Sequence, residues 1–148
     1  MENQTLTLTA SASGTTLTNV KIKNFEYQID EPEFFGGQSL APSPVDYLLG
    51  SIAGCIVAAG TYMAKEMGFH LNHLDIKVDG IINSDCFFGI SAEKRSGFQE
   101  IIISLSIDSD ASPETLEQWK QQLLIRCPVI DNLLHPAAIV IKESEGLK

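Results

Sequence analysis

The feature that most constrains this chain is an apolar run from Pro44 to about Gly68, opened by Ser43-Pro44 and carrying Gly50, Gly54 and Ala58 at intervals of four. Serine is a favoured helix N-cap, proline suits the first helical position, and Asp46 places an acid in the first turn. The run therefore predicts a helix beginning at Pro44. It is apolar around most of its circumference through Ala59, and polar character returns only with Lys65 and Glu66. Such a helix is expected to be buried on nearly all sides. The small residues form a ridge that lets another helix approach closely. In a chain of 148 residues this helix needs cover from a second layer or a second subunit. Its glycines, serine and threonine favour a buried helix over a membrane span.

The segments around it alternate. Leu6, Leu8 and Ala10 are separated by threonines, Ser13-Gly14 marks a turn, and Leu17, Val20 and Ile22 form a second alternating set. This predicts a hairpin, continued by a third short strand over Phe25 to Ile29. The stretch Asp30 to Pro44 holds two glycines and three prolines and reads as a loop. After the long helix, Leu74, Ile76 and Val78 begin a strand that continues towards Ile82, and Ile101 to Asp108 forms another. Ser112-Pro113-Glu114 opens a second helix, with Leu116, Trp119, Leu123 and Leu124 at helical spacing and Trp119 in the core. Cys127-Pro128 starts a short helical piece to Leu134, and a last strand is expected over Ala137 to Ile141. The order predicts one α+β domain over residues 1–148, with mainly antiparallel pairing.

A net charge of −9 with only ten Lys and Arg argues against a nucleic-acid surface and against a polybasic membrane anchor. The first residues lack the basic and apolar regions of a secretory signal, and an odd number of cysteines fits a reducing cytoplasm. The three cysteines, Cys55, Cys86 and Cys127, have neither zinc-site nor Cys-X-X-Cys spacing, and His70, His73 and His135 give no metal pattern. No metal or cofactor is implied.

Cys55 lies in the apolar helix. There it is an inert core thiol if buried, or a nucleophile if open to a pocket or a cation. Cys127 begins a short helix directly after Arg126. A helix N-terminus and a neighbouring guanidinium both favour thiolate, while the alternative is a small buried residue at a helix junction. Cys86, beside Asp85, reads as structural. His135 follows a helix and is expected to meet its last carbonyls.

The combination Pro42-Ser-Pro44-Val-Asp-Tyr-Leu-Leu-Gly-Ser-Ile-Ala-Gly-Cys55, with Arg126-Cys127-Pro128-Val129 later, resembles the OsmC/Ohr family over nearly the whole chain. The resemblance implies antiparallel sheets wrapping a long central helix in an intertwined homodimer. It also implies organic hydroperoxide reduction, with Cys55 peroxidatic, Cys127 resolving, and an external thiol reductant resetting the pair. Two positions depart from the pattern. The family's activating glutamate falls on Val45, with Asp46 turned about 100° away on a helix. The family's arginine has no counterpart, since Arg95 and Arg126 are the only arginines and only Lys21 and Lys23 precede Cys55 as cations. Arg126 is the candidate cation near the thiol. A thiol peroxidase is one reading of this chain. A non-enzymatic binder of a small apolar ligand at the dimer interface is the other, and a purely structural dimer with core cysteines is the plainest.

Overall fold

The structure, a computed structural model, describes residues 2–143. The expected α+β arrangement is found, in the order β1 (Thr9–Ala12), β2 (Thr18–Ile22), β3 (Phe25–Ile29), a short 3-10 helix (Glu33–Phe35), α1 (Pro44–Met67), β4 (Leu71–Ile82), β5 (Phe98–Ser109), α2 (Pro113–Arg126) and α3 (Pro128–Leu134). The described chain divides into two compact units, one up to Leu48 together with the chain from Ile139, the other Leu49–Ala138.

In the first unit, β1, β2 and β3 form an antiparallel sheet in sequence order. The first strand is shorter than its alternation suggested, because Leu6 and Leu8 lie outside it and are exposed. The loop that follows β3 is organised by Asp30, a buried carboxylate. It accepts hydrogen bonds from the Thr16 hydroxyl at 2.6 Å and from the backbone N–H groups of Glu31, Gln38 and Leu40 at 2.9, 3.0 and 3.1 Å. The Thr16 bond is the main influence holding this carboxyl below its ordinary pKa. Burial opposes it and the three amides assist. The start of α1 is closed by a capping box. The Ser43 N–H and hydroxyl both donate to the Asp46 carboxylate, at 2.9 and 2.6 Å, while the Asp46 N–H donates back to the Ser43 hydroxyl at 3.3 Å. Asp46 is thus engaged at the helix start. Tyr47 ties that start to β3, its hydroxyl donating to the Gln28 carbonyl at 2.8 Å.

In the second unit, β4 and β5 make a twelve-residue antiparallel ribbon. Its register sets Leu74 opposite Ile107, Ile76 opposite Leu105 and Val78 opposite Ile103, and all six pack against the core. That core contains Ile52, Ile56, Met63, Ala64, Phe69, Trp119, Leu123, Cys127 and Ile130. α1 contributes a single stripe to it, spaced three and four residues apart. α1 ends in a Schellman motif. Gly68, at φ 78°, donates its N–H to the Lys65 carbonyl at 3.3 Å, and the Phe69 N–H donates to the Ala64 carbonyl at 3.0 Å. α2 begins as its sequence indicated, with the Ser112 hydroxyl accepting from the Thr115 N–H at 3.1 Å and Pro113 in the first turn.

Within the single chain, three expected contacts are not made. α1 is not buried on nearly all sides, since Gly50, Gly54, Val57, Ala58, Thr61 and Tyr62 face outward. By length and composition alone it could cross a membrane, and one stripe of it packs into the core. Nor does the Gly50/Gly54/Ala58 ridge receive a helix of the same chain, because a Cβ added at Gly50 or Gly54 would meet nothing within 4 Å. The close approach occurs at Gly60, where an added Cβ would lie 2.6 Å from Cζ2 of Trp119. The last strand is also absent. Ile139, Val140 and Ile141 are 90%, 73% and 93% exposed and have no regular structure, since no strand among the described residues pairs with them.

Gly60 is the one position on α1 where the missing side chain is required. Placing alanine in a helix in place of glycine gains about 1 kcal/mol, whereas overpacking a fixed core costs about 1–3 kcal/mol. The indole cannot retreat freely, because its Nε1–H donates to the Gly60 carbonyl at 2.9 Å. Gly60→Ala is therefore expected to lower stability by up to about 2 kcal/mol. Chemical denaturation measures this, and a stabilised variant would overturn the packing argument.

Candidate functional site

Cys55 projects from α1 beside its buried stripe and is partly exposed, packed against the core that contains Cys127. Cys127 is the joint between α2 and α3. Its N–H donates to the Leu123 carbonyl at 3.0 Å, closing α2, and its carbonyl accepts from the Asp131 N–H at 2.9 Å, opening α3. Its side chain is fully buried because Trp119, Leu123 and Cys127 fall at intervals of four and so share one face of α2. Cys55 packs against the cluster that holds Cys127 and lies close enough to act on its thiol. Both cysteines are free, as is Cys86, which lies apart in the loop between β4 and β5.

The electrostatics reverse the local reading of Cys127. Its pKa is raised. Burial is the largest cause, followed by the proximity of the Cys55 thiol. The α3 N-terminus does act as its sequence position suggests, since the amides of Ile130 and Val129 favour thiolate, but burial outweighs them. The guanidinium does not act on Cys127. Arg126 is forked onto Glu66 at 3.2 and 2.9 Å, and its guanidinium carbon lies 5.8 Å from the centre of the Tyr62 ring. The mutual hydrogen bonds are the main reason that Glu66 titrates below and Arg126 above its ordinary value. Glu66 lies eleven residues beyond Cys55 on α1, about 16 Å along the axis. The structure thus brings Cys55 and Cys127 together and places Arg126 on Glu66.

His135 meets the end of α3 as expected, its backbone N–H donating to the Asp131 carbonyl at 2.7 Å, while its ring Nδ1 lies 3.1 Å from the Asp131 carboxylate. Sequence reading gave no role to Glu66, Tyr62 or Gly60. Helical spacing does place Tyr62 and Glu66 on one face of α1, four residues apart. Nothing local links that face to Arg126, sixty residues away.

Two contacting thiols of unequal exposure are suited to forming a disulfide in sequence.

Comparison with known proteins follows this geometry. The family model described as OsmC-like protein matches residues 36–142. No curated relative matches the chain in sequence. Among solved structures, the OsmC-like protein of Mycoplasma pneumoniae superposes with a TM-score of 0.78 at 20% identity, covering 91% of each chain. An organic hydroperoxide resistance protein OsmC of Legionella pneumophila reaches 0.64 at 16% identity, covering 92% of this chain and 93% of that one. One from Elizabethkingia anophelis reaches 0.66 at 15% identity over 91% of each. At these identities the likeness is one of fold.

The raised pKa and full burial of Cys127 have a direct consequence. Iodoacetamide at pH 8 should leave Cys127 unlabelled in the folded protein and label it promptly in urea. Because burial disfavours the thiolate, labelling should begin only at a more alkaline pH than for an ordinary thiol. Mass spectrometry of the digested protein checks this. Equal labelling of Cys127 in the folded and unfolded chain would contradict it.

Proposed function

The chain belongs to the OsmC-like protein family, and on that premise we propose that it reduces organic hydroperoxides with Cys55 and Cys127. The observation that carries the proposal is the packing of Cys55 against the core cluster that holds Cys127 at a junction of helices. In the first step the Cys55 thiolate attacks the peroxide. An S–O bond forms, the O–O bond breaks, and the alcohol leaves after taking a proton. In the second, the Cys127 sulfur attacks the Cys55 sulfenic acid, a disulfide forms and water leaves. An external dithiol then returns both cysteines to thiols. Cys55 takes the first role because it is partly exposed, and Cys127 the second because it is buried. The cytoplasm, with its thiol reductants, is the compartment this cycle calls for.

Activation is where this chain departs from its relatives. Val45 supplies no carboxylate, no arginine precedes Cys55, and Arg126 is held by Glu66. Losing one charge-stabilising donor costs about 10²–10³ in rate, so slow turnover is expected. The same observations favour a second reading, an apolar ligand bound at a dimer interface without chemistry. Reduced protein mixed with cumene hydroperoxide separates the two. The peroxidase reading expects loss of two thiols per chain, none in Cys55→Ser, and a dimedone-trapped sulfenic acid in Cys127→Ser. Unchanged thiols beside an oxidising peroxiredoxin control would end it. A thermal shift with apolar ligands would then speak for the second reading.

We propose further that the chain is a homodimer through the open face of α1. Gly50, Gly54 and Ala58 lie uncovered there beside the exposed Val57 and Tyr62, on an apolar helix that its own chain covers along one stripe. Sedimentation should give twice the chain mass, and Ala58→Arg should give the chain mass with its helical spectrum intact. A monomeric parent protein would rule out this interface.

A further inference from the structure

We propose that Glu66, Arg126 and Tyr62 form a positioning clamp that holds the Cys127 thiol against Cys55, so that their disulfide closes readily. The proposal deepens the reading of a working thiol pair and rests on it for its biological use.

The argument starts from Cys127 itself. It belongs to no helix interior, being the last capping residue of α2 and the first of α3, with φ −85° and ψ 109°. The direction of its thiol is therefore set by how the last turn of α2 is held, and helix ends are where such structures fray. Arg126 is the residue immediately before it. The Arg126 guanidinium makes two parallel hydrogen bonds to the two Glu66 oxygens and rests over Tyr62. Glu66, Tyr62 and Cys55 all belong to α1. The clamp thus ties the backbone next to one sulfur to the helix that carries the other.

A planar fork on a carboxylate fixes direction as well as distance, which a lysine cannot do. The pair is also exposed, at 37% and 51% for the two side chains, so it adds little to global stability. Its value lies in restricting the α2–α3 joint. Trp119, one stripe inside, holds the two helices together whether or not the clamp is present.

Electrostatic activation does not explain the pair. Arg126 is forked onto Glu66, and the Cys127 thiol titrates high under burial and the proximity of Cys55. Glu66 compensates the guanidinium charge at the surface.

The test uses equilibrium with oxidised and reduced glutathione in the whole protein. Two protein thiols and one oxidised glutathione give the protein disulfide and two reduced glutathiones, so the midpoint reads the effective concentration of one cysteine at the other without any peroxide. Glu66→Gln and Arg126→Gln should each lower it about two- to fivefold, the range an exposed ion pair commands. Arg126→Lys should fall between, and the double variant should be no worse than either single one, because both remove the same contact. Thermal midpoints should stay within about 2 °C of the parent protein. Removing an unrelated surface pair through Lys77→Gln should change nothing.

An effective concentration that is unchanged or raised in Glu66→Gln overturns the clamp, as does strict additivity of the two substitutions. So does a parent protein that forms no Cys55–Cys127 disulfide with glutathione. If the disulfide forms and responds as stated but hydroperoxide is not consumed, the clamp stands and the peroxidase reading fails.

Discussion

The contact on which the second unit depends is that of Trp119 with Gly60. A large indole lies where α1 has no side chain, and its N–H is satisfied by the backbone carbonyl of the same glycine. Both parts are needed. Without the glycine the ring would collide with α1, and without the carbonyl acceptor a buried N–H would go unpaired, at a cost of about 1–3 kcal/mol. Once Trp119 is fixed, periodicity does the rest. Leu123 lies one turn further on the same face, and Cys127 two turns further, at the end of the helix. The Cys127 thiol is buried because it terminates the stripe that the tryptophan begins.

That burial governs the chemistry of Cys127. A helix N-terminus and an adjacent arginine are the usual reasons to expect a reactive cysteine, and the sequence Arg-Cys-Pro-Val supplies both. The structure keeps the first and removes the second. The α3 amides favour the thiolate, but they do not outweigh desolvation, and the guanidinium turns to a carboxylate on α1. Proximity in sequence puts a charge within reach of a thiol. Which partner the charge chooses is decided by residues that sequence order does not bring near.

The parts that could be read beforehand are those whose cause is local. Ser43 and Pro44 define where α1 begins, Ser112 and Pro113 where α2 begins, and Pro128 where α3 begins, each because a cap is a matter of neighbouring residues. The alternation in β4 likewise named Leu74, Ile76 and Val78, which pack against the core. What escaped was relational. A strand is a property of a pair, and Ala137 to Ile141 has the composition of one without an edge to join. The glycine ridge of α1 was visible, yet the glycine that another helix of this chain uses is Gly60, and only the position of Trp119 singles it out. Asp30 escaped for the opposite reason. An acid beside a Gly- and Pro-rich loop is unremarkable until four donors converge on it.

For the candidate site, the cysteines were identified by their segments and then found in contact, while their surroundings were not foreseen. α1 meets α2 and the α2–α3 joint at three levels, through Cys55 with Cys127, Gly60 with Trp119, and Glu66 with Arg126. The three differ in kind. The middle tie is buried and apolar and carries stability. The outer ion pair is exposed and directional, so it can constrain geometry while contributing little to folding. The thiol contact is the weakest while reduced and, on the proposed cycle, the strongest once oxidised. A site built this way separates the interaction that holds the helices together from the one that aligns the sulfurs. The alignment can therefore vary, by substitution of two surface residues, with little effect on the fold beneath it.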